Sequence, residues 1–112
     1  MKKLEIIIRP EKFETLKEIL TDNQISGMMI TNIMGFGNQM GHTQQYRSVK
    51  YSVNLVMKLR VEVVVRDEMV AGIVSAITTK LSTGRVGDGK IFINPVENAV
   101  RIRTGESGEQ AL

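Results

Sequence analysis

The sequence predicts an α+β fold of the ferredoxin-like type, a βαββαβ chain whose strands form one sheet with both helices on the same face. Short runs rich in β-branched residues alternate with two amphipathic stretches at helical spacing. The order along the chain is strand, helix, strand, long loop, strand, helix, strand, as two strand–helix–strand halves require. A length of 112 residues with no linker-like segment favours a single domain over residues 1–112.

The first half begins with the apolar run at residues 3–9, which indicates a strand because its β-branched side chains suit a pleated surface. Pro10 fits the first turn of a helix, where its missing N–H costs nothing. Apolar side chains at helical spacing then predict a helix that ends near Asp22 and buries Phe13, Leu16, Ile19 and Leu20. Residues 27–34 form the second predicted strand.

The second half contains the clearest strand, residues 57–66, in which apolar and polar positions alternate and Lys58 falls on the less apolar face. Asp67 is placed to cap a second helix, whose predicted apolar face is Val70, Ile73, Val74, Ile77 and Leu81. A turn at residues 83–89 leads into a last main strand at residues 90–93.

Three segments have weaker patterns. Residues 37–55 are polar and lack a clear period, which predicts a long loop, with room for a strand extension at its base. Residues 96–102 suit a further short helix or a strand, and residues 104–112 suit a polar tail. Loops as long as the first of these are usually functional or mobile when they occur in a compact domain.

The composition argues against several classes of protein. The chain has no cysteine, so disulfides and thiolate metal sites are absent and a reducing compartment is favoured. No apolar run approaches the ~20 residues of a membrane span, and the N-terminal residues lack a signal-peptide pattern. We therefore expect a cytoplasmic protein. The net charge of +3 does not by itself argue for nucleic acid.

The glycine-rich segment Gly84–Lys90 matches a phosphate-binding P-loop at every position except the last. A P-loop needs Ser or Thr after the lysine and a helix behind it, whereas here Ile91 follows and opens a strand-like run. The glycines still allow successive main-chain N–H groups to converge on an anion, and Lys90 adds a positive charge. The alternative is a tight turn with a surface lysine.

Two further features support an anion site. Arg101 and Arg103 would point to the same side of an extended segment and, with Lys90, form a basic cluster near the glycine turn. Three glycines within residues 35–41 suggest that the main chain approaches a ligand closely at the loop entry. Gln39, in the same stretch, offers an oxygen to a Mg²⁺ shell completed by phosphates and water.

Two rival functions use similar features. An ATP-hydrolysing or phosphotransfer enzyme is disfavoured, because no Ser or Thr follows Lys90 and no acidic metal pair is evident nearby. An RNA-binding module on this fold needs aromatic platforms in its central strands, whereas aromatic residues make up 4% of the chain and residues 57–66 contain none. These residues therefore disfavour both an enzyme and a partner of nucleic acid.

The whole sequence, from Met1 to Leu112, resembles the PII nitrogen-regulatory signalling proteins with little sign of gaps. The resemblance is carried by residues 1–10, by Gly35-Phe36-Gly37 with Gln39, Gly41, His42 and Thr43, by Tyr46-Arg47 and Tyr51, by residues 83–92, and by residues 101–106.

This resemblance implies a homotrimer that binds ATP or ADP in the clefts between neighbouring subunits. The positions that match the nucleotide site are Met29, Gly37, Asn38, Gln39, Val64, Gly87, Asp88, Gly89, Lys90, Arg101, Ile102 and Arg103. The positions that match the 2-oxoglutarate site are Gln39, Met40, Gly41, Lys58 and Gly87, and Gln39 also matches the residue linked to Mg²⁺ through the ATP phosphates. Residues 37–55 match the T-loop, which docks on ammonium transporters and other nitrogen-metabolism proteins.

The implied mechanism is a population shift of the T-loop. MgATP with 2-oxoglutarate would favour one loop shape and ADP another, so that nitrogen and energy status is read out as partner binding. A membrane would be reached only indirectly, through a transporter. The alternative is a PII-like ATP/ADP sensor that has lost 2-oxoglutarate sensing and serves a different partner.

The sequence departs from the family pattern at several positions. Asn38 stands where the family usually has Arg, Met29 where it usually has Thr, and Met40 where Lys is common. Tyr51 matches a residue that is uridylylated in some members, but Ser48 and Lys50 replace the usual Gly and Glu beside it, which argues against that modification. These changes lead us to expect a loop adapted to a different partner.

Overall fold

The computed structural model describes residues 1–36, 43–46, 49–52 and 55–112, and for 43–46 and 49–52 it describes the main chain. The elements are β1 (Lys2–Ile8), α1 (Phe13–Asp22), β2 (Met29–Phe36), β3 (Thr43–Tyr46), β4 (Val49–Ser52), β5 (Leu55–Val65), α2 (Val70–Leu81) and β6 (Lys90–Pro95). Short 3₁₀ helices span Pro10–Lys12, Asp67–Met69 and Gly108–Ala111.

The main sheet has the strand order β2-β5-β1-β6, and each neighbouring pair is antiparallel. β1 and β2 therefore run parallel with β5 between them, which is the split strand–helix–strand unit of the ferredoxin-like fold. The predicted fold class is confirmed. Within the predicted loop, β3 and β4 pair with each other as a separate antiparallel ribbon.

The core lies between the helices and one face of the sheet. Alternate residues of the two central strands point to this face, because side chains along a strand alternate between the two sides. They meet the apolar faces of α1 and α2, as the two sequence periods predict. The buried set is Leu4, Ile6, Ile8, Val61, Val63 and Val65 from the strands, and Leu16, Ile19, Leu20, Ile73, Ile77 and Leu81 from the helices.

Among the described residues, no helix covers the opposite face of the sheet, which carries charged side chains. Arg60 lies between two carboxylates, with its Nε 3.1 Å from Glu62 and its Nη1 4.0 Å from Glu5. Lys3 also approaches Glu62, at 3.5 Å. Lys58 is on this face too, yet only 8% of it is exposed, because the turn that precedes β6 folds over it.

Two local expectations were wrong. Asp67 does not cap α2 with its side chain, since a 3₁₀ turn leads into the helix and the Asp67 carboxylate instead lies 2.9 Å from the Met1 amino group. Residues 96–102 form neither a helix nor a strand, apart from one isolated bridge between Val100 and Ser107. In the part of the chain that the structure describes, no helix is long and apolar enough to cross a membrane.

Candidate functional site

The turn between α2 and β6 takes a path that requires glycine at three places. Gly84, Gly87 and Gly89 have φ angles of 77°, 99° and 106°, in the left-handed region that side chains disfavour. Gly89 also lies directly on the main chain of β1, where an added Cβ would stand 1.8 Å from the Ile7 carbonyl oxygen. The glycine pattern seen in the sequence is therefore a geometric necessity of this turn.

The Asp88 carboxylate closes the turn from inside. Its Oδ2 accepts hydrogen bonds from the main-chain N–H groups of Thr83, at 2.8 Å, and Gly84, at 3.1 Å. Its Oδ1 accepts from the Thr83 hydroxyl and from an Arg9 guanidinium N–H at 3.0 Å. These donors, led by the Thr83 hydroxyl, stabilise the charged carboxylate and lower the Asp88 pKa to about 2.

Arg9 was not among the residues predicted for the site. Its Nη1 contacts Asp88 and also the Thr83 hydroxyl at 3.4 Å, while its Nη2 donates to the Val86 carbonyl at 2.9 Å. The sequence did offer one signal, since Arg9 precedes Pro10 and a residue before proline is restricted to extended conformations. That signal fixes the main chain at Arg9, but not which distant segment its side chain reaches.

Lys58 connects the sheet to the turn. Its ammonium group donates a hydrogen bond to the Gly87 carbonyl, so the side chain crosses from β5 to the glycine segment. Burial and the neighbouring positive charge of Arg9 lower the Lys58 pKa, while Glu11 and Asp88 act in the opposite direction. The result is a poorly hydrated cation beside a main-chain turn, which is suited to pairing with an anion.

A groove of about 540 Å³ opens between this turn and the uncovered face of the sheet. We call it the turn groove, and its lining is Ile7, Ile33, Gly35, Phe36, Val56, Lys58, Phe92 and residues 85–90. Lys90 lines it too, and the Lys90 side chain has no hydrogen bond or salt bridge within the described residues. Lys58 and residues 87–90 thus line the same groove.

A second groove of about 600 Å³ lies elsewhere on the sheet. We call it the far groove, and it is lined by residues 23–29 and 62–66 together with Lys3, Met69, Glu109 and Leu112. It contains Met29 and Val64, the two positions matched to an adenine environment. Met29 begins edge strand β2 and Lys90 begins edge strand β6, so three strand spacings, ~14 Å, separate them across the sheet.

Arg101 does not join Lys90 in one cluster. Residues 102–104 form a turn, not the extended segment in which the two arginines would share one side, and a hydrogen bond of 2.7 Å from the Gly105 N–H to the Arg101 carbonyl closes it. The Arg101 guanidinium donates to the carbonyl of Leu112, which lines the far groove, at 3.2 Å. Arg101 therefore lies beside the far groove, and within one chain the predicted basic cluster is divided between two places.

Several predicted site residues cannot be located. Gly37, Asn38, Gln39, Met40 and Gly41 lie outside the described residues, and the side chain of Tyr51 does as well. Ile102 is fully exposed in the turn after β6, next to Arg103. In the described part of the chain, no group of three or more His, Asp or Glu side chains is arranged to hold a metal ion.

The decrease in the free energy of unfolding at acid pH should depend on Asp88. Its pKa lies at about 2 in the folded chain against a usual value of 3.8, so the stabilisation is complete above about pH 4 and is lost as the pH falls toward 2. Asp88→Asn should therefore be less stable than wild type at pH 7, and that deficit should shrink between pH 4 and pH 2. Urea unfolding at a series of pH values measures this, and a constant deficit would contradict the assignment.

The fold and the site define a class of protein: a ferredoxin-like domain with a glycine turn and two nearby lysines, one buried and one exposed, suited to an anionic ligand. The chain matches the family model described as "Nitrogen regulatory protein P-II" over residues 1–106. It is 50% identical to the nitrogen regulatory protein P-II of Haemophilus influenzae and 49% identical to that of Cereibacter sphaeroides, in each case over the whole of both chains. The chain therefore belongs to the PII family of nitrogen regulatory signalling proteins.

Proposed function

We propose that this protein senses nitrogen and energy status by binding ATP or ADP, and 2-oxoglutarate together with MgATP, in clefts between the subunits of a homotrimer. The bound ligands bias the T-loop, residues 37–55, and the loop shape selects a partner such as an ammonium transporter or another nitrogen-metabolism protein. The protein acts in the cytoplasm, reaches a membrane only through such a transporter, and carries out no chemical step on its ligands.

The observation that supports this most strongly is the glycine turn. Three left-handed glycines and the close approach of Gly89 to β1 form a main-chain surface with Lys90 at its rim. Main-chain N–H groups in such turns, reinforced by a cation, are a common way to bind phosphate. The phosphates themselves would supply ligands to Mg²⁺, with Gln39 completing the shell.

A dicarboxylate fits next to this turn because Lys58 is there. Its ammonium group is nearly buried and already faces an oxygen, the Gly87 carbonyl. A carboxylate of 2-oxoglutarate would replace this neutral acceptor with a charged one, which is a stronger partner for a desolvated cation. Lys58 pairs in register with Ile33, three positions from the end at which β2 and β5 lead into the loop.

The predicted site residues lie on two separate grooves, and this division supports a cleft shared between subunits. Lys90 and the glycine turn lie on the turn groove, whereas Met29 and Val64 lie on the far groove, with Arg101 beside it. Within one chain the two sets line separate grooves, with Met29 and Lys90 on opposite edge strands ~14 Å apart across the sheet. A neighbouring subunit that brings its far groove against the turn groove would complete the site, and cyclic symmetry would repeat it three times.

Calorimetry with MgATP and 2-oxoglutarate tests the ligands directly. Wild type should bind MgATP and should bind 2-oxoglutarate only when MgATP is present. Lys58→Met should retain MgATP but lose 2-oxoglutarate affinity by roughly 10- to 100-fold, because it removes a charge-assisted hydrogen bond. Lys80→Met, on the exposed side of α2, is the control for lost charge.

The outcomes separate the candidate functions. MgATP binding without any response to 2-oxoglutarate would favour the alternative, an ATP/ADP sensor that has lost 2-oxoglutarate sensing. Met40, which stands where Lys is common in the family and matches a 2-oxoglutarate position, is the observation that keeps this alternative in place. Failure of wild type to bind either nucleotide would contradict the proposal as a whole.

A further inference from the structure

The glycine turn needs an external support to keep its shape. Glycine loses more conformational freedom on ordering than any other residue, so a segment with three left-handed glycines is costly to hold in one conformation. The contacts that fix this turn come mainly from side chains: the Asp88 carboxylate inside it, the Arg9 guanidinium across it and the Lys58 ammonium at the Gly87 carbonyl. Arg9 and Lys58 come from other parts of the chain, and of these two it is Arg9 that contacts both Asp88 and Val86.

The guanidinium of Arg9 joins both ends of the turn. One nitrogen contacts Asp88 and Thr83, at 3.0 and 3.4 Å, and the other donates to the Val86 carbonyl at 2.9 Å. A planar group with donors in a fixed fork can make these contacts at once, whereas a lysine ammonium is a single point charge on a flexible stem. Arg9 itself is anchored, because it directly follows β1 and precedes Pro10.

The other half of the fold shows that this support is not a requirement of the architecture. Arg66 occupies the equivalent place, after β5 and before a 3₁₀ turn, with main-chain angles of −69° and 150° against −68° and 142° for Arg9. Arg66 makes one exposed salt bridge, to Glu109 at 3.8 Å. The bridging geometry belongs to the arginine that lies beside the glycine turn.

We propose that Arg9 is a positioning residue of the nucleotide site, which holds the glycine turn in its anion-binding shape through Asp88 and Val86. This inference rests on the function proposed above. Arg9 also pairs the negative charge of Asp88, the acidic residue within the phosphate-binding segment, so that the turn keeps the positive character that Lys90 and Lys58 give it. The turn is thus ordered before the ligand arrives, and binding does not bear that ordering cost.

Hydrogen exchange of the ligand-free protein tests the positioning role. In Arg9→Met, the Thr83 and Gly84 amides, which donate to Asp88, should exchange roughly ten-fold faster or more. The amides of Ile6 and Phe92 in the adjacent strands should not change. Lys17→Met is the matched control, since it removes one exposed positive charge from α1, outside the turn and its two flanking elements. Unchanged exchange at Thr83 and Gly84 would overturn the inference.

Nucleotide affinity provides the second measurement. Arg9→Met should weaken MgATP binding roughly 10- to 100-fold, and Arg9→Lys should recover part of the loss because it keeps the charge but not the fork. In an Asp88→Asn background, the further change Arg9→Met should cost less than about three-fold, because the two residues act together. The positioning role would be contradicted if the double variant lost MgATP affinity by the product of the two single losses. Wild-type affinity in Arg9→Met would contradict it too.

The two proposals can fail separately. If wild type binds neither MgATP nor inorganic tripolyphosphate, the proposed function is wrong and so is the anion-binding role of the turn. If wild type binds MgATP and Arg9→Met binds it equally well, the proposed function stands and Arg9 is not a positioning residue.

Discussion

Gly89→Ala should destabilise the protein by about 3–5 kcal/mol, which is at the high end for a single substitution. The alanine Cβ would stand 1.8 Å from the Ile7 carbonyl oxygen and 2.8 Å from its carbon, on a φ of 106°. Ile7 belongs to β1, which is paired on both sides by β5 and β6, so its main chain cannot retreat without breaking the sheet. The turn would have to separate from β1, and MgATP binding should be lost with it.

Substitutions at two other glycines separate the two causes of this destabilisation, the positive φ and the close contact with Ile7. Gly84 has a φ of 77° but open space around it, so Gly84→Ala should cost only the ~1–2 kcal/mol of a left-handed side chain. Gly72 lies in α2 with neither feature, and Gly72→Ala should stabilise by ~0.5–1 kcal/mol through helix propensity. Urea unfolding measures all three free energies. Equal costs at Gly89 and Gly84 would show that the close contact with Ile7 is not maintained.

The sequence carried enough information to predict the sheet and the turn, because those features depend on local patterns. Alternation along β5 identified the strand and placed Lys58 on the less apolar face, where it lies in the structure. The glycines at 84, 87 and 89 identified the turn, since a positive φ at each requires them. The strand order followed from the element order and the few topologies that it permits.

The parts that were missed depend on contacts between distant segments. The partners of Arg9 lie 74 to 79 positions further along the chain, and no local sequence pattern indicates partners so distant. Asp67 had the composition of a helix cap, but the Met1 amino group lies near it and offers a charged partner instead. Arg101 and Arg103 would share one side only if their segment were extended, whereas a turn closed at Gly105 determines the main chain there.

The proposed nucleotide site should lose affinity when the cation of either Lys90 or Arg103 is removed. Lys90→Met changes the rim of the turn groove, and Arg103→Met changes the exposed turn after β6. Neither side chain has a hydrogen bond or salt bridge among the described residues, so folding should be little affected. Each loss of a charge-assisted contact should weaken MgATP binding roughly 10- to 100-fold, as calorimetry would measure.

Subunit mixing tests most directly whether the two cations meet in a cleft between neighbours. Lys90→Met and Arg103→Met subunits are unfolded together and refolded, and MgATP is titrated at concentrations that fill wild type but leave either variant mostly empty. Random assembly of trimers should restore about one cleft in four, because such a cleft takes its turn groove from one variant and its second cation from the other. The two variants refolded apart and then combined are the control. No recovery on co-refolding would contradict the shared cleft and with it the proposed site.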